Sequence, residues 1–447
     1  MGRARKRYVG LDVHKDVVEY YILDAAGKKI DGGRIVCEQS VLMRFATKTL
    51  SPKDHVALEA TTNTWSVVDI LEPHVAKIVV GNPLKTKAIA EAKVKTDKID
   101  AMILAQLLRC DFLPTVWIPD AKTRVLRRLS TFRKSLVQDG IAAKNRIKGI
   151  LNHLLLKQAI TWTKDDMDEL KKLDLPLHER TIMDCEIAVL EHLKTQIATV
   201  ESEIKKLAYE EENVRLLMTL PGIDYNTATA VVAAFGDISR FKDADHAASY
   251  LGLVPKVKKS ADTSRHGSIT KAGASLARSL LCEGAQHLSR NEGPLGVFFR
   301  RLLQKKTWNQ AVVAGARKLA TIAYHMLKNK EPYRYAAVPR TQEKLRRLRT
   351  SVTGQKPERP RYRYDEKLRE HIKKDSDVSV SFVPPIAEVY EKEGLPPARS
   401  FDKLSAGEQR VIKEMDLIEH VRKTEHLQVI AKPKRIRKTQ SDPSCKG

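Results

Sequence analysis

A chain of 447 residues exceeds what one hydrophobic core usually organises, so length favours two or more domains. With 42% hydrophobic and 30% charged residues, and no uncharged apolar run long enough to span a bilayer, the composition is that of a soluble protein and excludes a membrane-spanning helix. The 80 Lys and Arg against 55 Asp and Glu leave a net charge of +25, more than solubility requires, which points to a polyanionic partner; the plain alternative is an inert basic surface or a ribosome-associated scaffold.

The start, Met1-Gly-Arg-Ala-Arg-Lys-Arg, is basic without an apolar signal core, and Lys6 stands where a myristoylation signal wants Ser or Thr. Five scattered cysteines, never in a C-x-x-C pair, argue against a disulfide framework or zinc site and for a reducing, cytoplasmic location.

In chain order, Tyr8 to Val13, Val17 to Leu23, Arg34 to Cys37, Val56 to Leu58 and Ala76 to Val80 read as strands. Val41 to Lys48, Thr64 to Leu71 and Asp100 to Leu108 read as helices. Three early strands on short turns followed by alternating helix and strand predict an α/β mixed-sheet domain over residues 1–118. From Val125 to Leu154, apolar residues recur three or four apart among Arg and Lys, which predicts a long amphipathic helix. The seam Leu190, Leu193, Ile197, Val200, Ile204 and Leu207 reads as a coiled coil, either a hairpin within the chain or a dimerisation arm, and assigns long helices to 119–212.

Residues 213–330 read as a mostly α-helical domain. Its Leu220-Pro-Gly-Ile turn opens a helix of small residues whose amides suit a phosphate, like a helix-hairpin-helix element that grips a DNA backbone; Pro-Gly turns between helices are also common without that role. A loop-like, cationic stretch from Lys256 to Gly273 follows. Residues 331–447, Pro-rich, charge-dense and ending in the basic run Lys432 to Lys438, read as a partly disordered extension that binds nucleic acid or is simply a solvated tail.

Asp12 is a lone acid in the apolar run Tyr8-Val-Gly-Leu-Asp-Val, a costly placement unless it binds something, and Glu59 repeats the situation in Val56-Ala-Leu-Glu. Asp97 and Asp100, three apart, share one face of a helix. Four convergent carboxylates without cysteine or histidine suit hard ions such as Mg²⁺, and two such ions about 3.5 to 4 Å apart polarise a phosphate. Each acid also has a structural explanation: Thr96 can cap a helix with Asp97 and Asp100 in its first turn, and Asp12 can close a strand. Ser260, Ser264 and Ser268 lie among cations that would stabilise charge developing at an attacked phosphorus, or they merely contact phosphate or cap a helix.

The set Gly10-Leu-Asp12-Val-His-Lys15, Leu58-Glu59-Ala-Thr61, Val80-Gly-Asn-Pro83 and Lys95-Thr-Asp97-Lys-Ile-Asp100 resembles the RuvC-like (RNase H-like) domain of the DEDD transposases of the insertion-sequence one-ten group. Leu220-Pro-Gly-Ile, Tyr250-Leu-Gly-Leu-Val-Pro255 and Ile269-Thr-Lys-Ala-Gly273 resemble that family's second, transposase domain, and the resemblance covers roughly residues 7–330. It implies that Asp12, Glu59, Asp97 and Asp100 bind the metal and that Ser260 is the nucleophile, although Ala261 replaces the usual glycine and Ser264 is near. It further implies donor and target DNA as substrates, a guide (bridge) RNA from the element, and a homodimer or homotetramer. The expected function is therefore a transposase or recombinase that cuts and rejoins DNA through serine with Mg²⁺. The rivals are a RuvC-like junction endonuclease using hydrolysis alone and a catalytically dead nucleic-acid-binding scaffold.

Overall fold

The computed structural model describes residues 6–89, 96–157, 159–260, 263–355 and 378–433, in two compact units, 1–120 and 121–447. No helix of the described residues is long and apolar enough to cross a membrane.

The first unit is a mixed α/β domain built on one six-stranded sheet in the order β3-β2-β1-β4-β5-β6. Strands β1 (Tyr8–Val13), β2 (Val17–Leu23) and β3 (Lys29–Val36) form an antiparallel meander. Strands β4 (His55–Glu59) and β5 (Lys77–Gly81) continue parallel to β1, and the two-residue β6 (Thr115–Val116) closes the far edge antiparallel. This arrangement of a meander and a parallel pair, flanked by helices, is RuvC-like (RNase H-like). Strand β1 is central because Val9, Leu11 and Val13 are all buried; edge strand β3 carries Lys29, Asp31 and Arg34 and is mostly exposed.

Helices α1 (Gln39–Lys48) and α2 (Thr64–Leu71) pack Leu42, Phe45, Val67, Val68 and Leu71 into the main core of this unit. Helix α3 (Pro83–Ile89) follows β5. Helix α4 (Asp97–Arg109) buries Ala101, Leu104, Ala105 and Leu108, a three-four pattern that makes one apolar stripe against the sheet. Its start is set by Thr96, whose hydroxyl accepts from the Ile99 amide at 3.3 Å. Gly10 lets it come close: a Cβ there would lie 2.0 Å from the Ala101 carbonyl oxygen.

The second unit is mostly α-helical. Helices α5 (Ala121–His153) and α7 (Leu177–Glu210) are antiparallel, since ion pairs Arg133–Glu201 and Arg146–Glu186 step in opposite directions along them. With the short α6 (Lys164–Lys172) they enclose Ile147, Ile150, Leu151, Leu170, Met183 and Ile187. Of the seam read as a coiled coil, Leu193 and Ile204 are buried within this unit, so the arrangement observed is the hairpin within the chain.

Helices α8 (Glu212–Leu217) and α9 (Tyr225–Phe235) flank the Pro-Gly turn, and residues 226–235 of α9 are all buried. The amide of Thr227, which the sequence offered to a phosphate, is taken by the Asp224 carboxylate at 2.8 Å. After α10 (Ala244–Tyr250), the stretch read as a loop is a hairpin of β7 (Pro255–Ser260) and β8 (Thr263–Ile269), in which Ser260 stands in register with Thr263.

Helices α11 (Ser275–Gln286), α12 (Pro294–Leu303) and α13 (Trp308–Asn329) complete the large core. The described residues beyond 330 join it rather than trail away: Val338, Leu345 and Leu348 of α14 (Val338–Thr353) and Ile386, Val389 and Tyr390 of α15 (Ile386–Lys392) are buried there. Phe401, Leu404, Ile412, Leu417 and Val421 form a smaller cluster with α16 (Ala406–Glu414) and α17 (Ile418–Glu425). Strands β9 (Val378–Val383) and β10 (Gln428–Pro433) pair antiparallel, and the basic run from residue 434 onward lies outside the described residues.

Candidate metal centre

The C-terminal ends of parallel strands β1 and β4 lie side by side, with Leu11 in register with Leu58, so Asp12 and Glu59 occupy adjacent strand ends. The hydroxyl of Thr64, at the start of α2, donates to the Glu59 carbonyl at 2.9 Å and fixes the backbone there. Helix α4 brings Asp97 and Asp100 in its first turn. Asp12, its side chain only 13% exposed, has a pKa raised first by burial. The hydrogen bond and charge of His14 oppose that rise, and the neighbouring carboxylates Asp100 and Asp97 add to it.

Ligand-capable atoms of Asp12, His14 and Asp97 all lie within 4.8 Å of one another. His14 Nε2 is 3.0 Å from Asp12 Oδ2 and 3.5 Å from Asp97 Oδ1. Two carboxylate oxygens and an imidazole nitrogen at this spacing can chelate one divalent metal ion; the oxygens suit a hard ion, and the nitrogen adds a borderline donor that the acids alone did not imply. Asp100 is near enough for its charge to act on Asp12, and Glu59 flanks it by register, but neither belongs to the group of three.

Beside two of the expected acids stands a histidine, His14, which the sequence reading did not include. The signal was present in proximity alone, because His14 follows Asp12 by two residues, in the turn just after β1. Asn63 holds the turn that carries His14, donating to the carbonyls of His14 and Lys15 at 3.3 and 3.4 Å. Two more charged side chains, Glu19 and Arg34, reach the site's flank: Arg34 donates to Glu19 Oε1 at 2.6 Å and to Asp97 Oδ2 at 3.2 Å.

A meander-plus-parallel sheet carrying acids at the ends of β1 and β4 and at the start of a helix places the first unit in the RuvC-like (RNase H-like) fold class. Residues 9–155 match the model of a DEDD transposase and residues 214–296 that of the transposase IS116/IS110/IS902 family. The chain is 26% identical over 350 residues, 74% of its length and 92% of the relative's, to the transposase for insertion sequence element IS1111A of Coxiella burnetii. It is 28% identical over 301 residues, 65% of its length and 83% of the relative's, to a pilin gene-inverting protein of Moraxella bovis. A putative transposase of Sinorhizobium fredii, y4qE, is 27% identical over 296 residues, 64% of this chain and 73% of that one. The protein belongs to the IS110/IS1111 family of DEDD transposases and is a transposase or recombinase-type enzyme acting on DNA.

The covalent serine reading does not stand. The cluster that the structure assembles, inside the region matching the DEDD model, is Asp12, His14 and Asp97, a carboxylate–histidine set suited to activating water by a bound ion, which requires no covalent intermediate. Ser260 ends a hairpin strand of the second unit, and its neighbour across the hairpin is Thr263.

Proposed function

We propose that this transposase cuts DNA by metal-assisted hydrolysis at the N-terminal site, in the manner of a RuvC-like endonuclease. The observation that carries the reading is the convergence of Asp12, His14 and Asp97 at the end of the central strand. A divalent ion, when bound, supplies Lewis-acid polarisation of the scissile phosphate and of the attacking water. The chain's own part is to hold that centre: Asp12 and Asp97 offer anionic oxygens, His14 a nitrogen, and Asn63 and Thr64 fix the backbone beside His14 and Glu59. The net charge of +25 favours approach of the polyanionic substrate.

The ion is Mg²⁺, with a second one drawing on Glu59 and Asp100. A guide RNA, a homo-oligomer and a cytoplasmic location are supported by the basic composition, by the family resemblance and by Cys37, Cys110, Cys185 and Cys282, which are free thiols.

The test is cleavage of a plasmid carrying an element junction, with Mg²⁺, by the native chain, Asp12→Asn and Ser260→Ala, scoring both nicks and protein-linked DNA. The expected result is nicking by the native chain and by Ser260→Ala at similar rates, none by Asp12→Asn, and no covalent adduct. A protein–DNA adduct that disappears in Ser260→Ala refutes the hydrolytic assignment.

A further inference from the structure

The sheet register carries a row of charge onto the flank of the metal centre. Asp12 on β1 is paired with Glu19 on β2, and Glu19 with Arg34 on β3, so the three stand side by side on one face. Glu19, its side chain 13% exposed, takes the Nε edge of the Arg34 guanidinium at 2.6 Å. The Nη2 corner of the same planar group donates to Asp97 Oδ2 at 3.2 Å, leaving Oδ1 of Asp97 turned toward His14 Nε2 at 3.5 Å. Asp97 is the first residue of α4, at a helix end where backbone order is weakest.

Building on the metal-site reading above, we infer that Arg34, anchored by Glu19, is a positioning residue that ties the first residue of α4 to the sheet and presents one oxygen of Asp97 to the metal ion. The guanidinium fork suits this task, because two donors in one plane bond two carboxylates at a fixed separation; a lysine ammonium on a flexible stem does not reproduce that geometry.

The rival role, a counter-charge that merely offsets the crowd of acids, has the opposite sign. Removing a cation from beside an anionic site strengthens its attraction for a metal ion, whereas removing the tether of a ligand weakens ion binding. Outer-shell partners of metal ligands typically account for about 10- to 100-fold in affinity.

The experiment is Mn²⁺ binding to the full-length chain without DNA, followed by the electron paramagnetic resonance signal of the free ion, for the native chain, Arg34→Ala, Arg34→Lys and Asp12→Asn, with thermal unfolding measured alongside. The expected result is binding about 10-fold weaker in Arg34→Ala, partial recovery in Arg34→Lys and near loss in Asp12→Asn, with little change in unfolding temperature. Arg34 is 58% exposed, so its replacement leaves the core intact. Equal or tighter binding in Arg34→Ala, with Asp12→Asn still impaired, overturns the positioning role alone. Indistinguishable binding by the native chain and Asp12→Asn overturns the metal-site reading and this inference with it.

Discussion

Gly10→Ala tests whether the metal centre depends on how closely α4 lies on β1. The added Cβ would sit 2.0 Å from the Ala101 carbonyl oxygen, 2.6 Å from the Ala105 amide nitrogen and 3.1 Å from the Ala101 carbonyl carbon, and all three are backbone atoms that no rotamer change can move aside. Restoring an ordinary contact of 3.4 Å requires α4 to retreat from β1 by about 1.4 Å, at an overpacking cost of about 1–3 kcal/mol. Asp12 is two residues along β1 from that contact, and Asp97 and Asp100 lie in the first turn of the displaced helix, so the retreat opens the cluster directly. A displacement of this size costs about 100-fold in activity where geometry governs catalysis. The assay pairs Mn²⁺ affinity with the rate of junction-plasmid nicking, and urea unfolding reports the fold separately. Loss of ion affinity in a folded protein is the expected outcome. Native affinity and native cutting rate in Gly10→Ala would refute the reasoning, because the site would then not depend on the close approach.

Lys344 of α14 donates to the carbonyls of Leu220 and Ile223 at 2.8 Å, beneath the Pro-Gly turn. The residue as a whole is partly exposed but its ammonium is enclosed, and because the charge sits on the ammonium, burial lowers its pKa to about 7, against a weaker upward pull from Asp224. The unfolded chain, with an ordinary lysine near 10.5, therefore holds a proton that the folded chain has shed between pH about 7 and about 10.5. Lys344 makes stability rise across that window by up to about 1.4 kcal/mol per pH unit, and below it the burial penalty is fully present. Lys344→Met should flatten this rise in urea unfolding followed by circular dichroism at pH 6.5, 8 and 9.5, and parallel profiles would count against the assignment. Gly284→Ala in α11 places a Cβ 2.7 Å from the Gly222 carbonyl oxygen, at a turn where Gly222 itself has φ +75°. It should destabilise the helical unit by about 1–3 kcal/mol, read as a lower unfolding temperature with the first unit's ion affinity unchanged.

The elements legible from sequence were those whose burial is symmetrical or strictly periodic. Strands β1 and β2 matched their apolar runs residue for residue because central strands need apolar side chains on both faces. Edge strand β3 begins five residues before the expected Arg34, since Lys29-Ile-Asp-Gly-Gly faces solvent and leaves no hydrophobic trace. The β7–β8 hairpin was hidden the same way, by a cationic composition that resembles a loop. Beyond residue 330 charge density concealed a regular pattern: Val338, Thr341, Leu345 and Leu348 recur three or four apart and are all buried.

The site divides along the same line. Of the cluster's members, Asp12 stands out because an acid inside an apolar strand needs a compensating partner, and Asp97 because it shares a helix face with a second acid three residues on. Thr96 shows that the structural explanation and the functional one coexist: it caps α4, as a bland reading requires, and that cap is what delivers Asp97 to the cluster. Arg34 and Glu19 are ordinary charges in sequence, fifteen residues apart, and acquire meaning only when β2 and β3 pair in one particular register. A register shift of one residue would turn Arg34 to the opposite face and leave Asp97 without this tether, so the completeness of the metal centre rests on an edge-strand pairing that no local motif encodes.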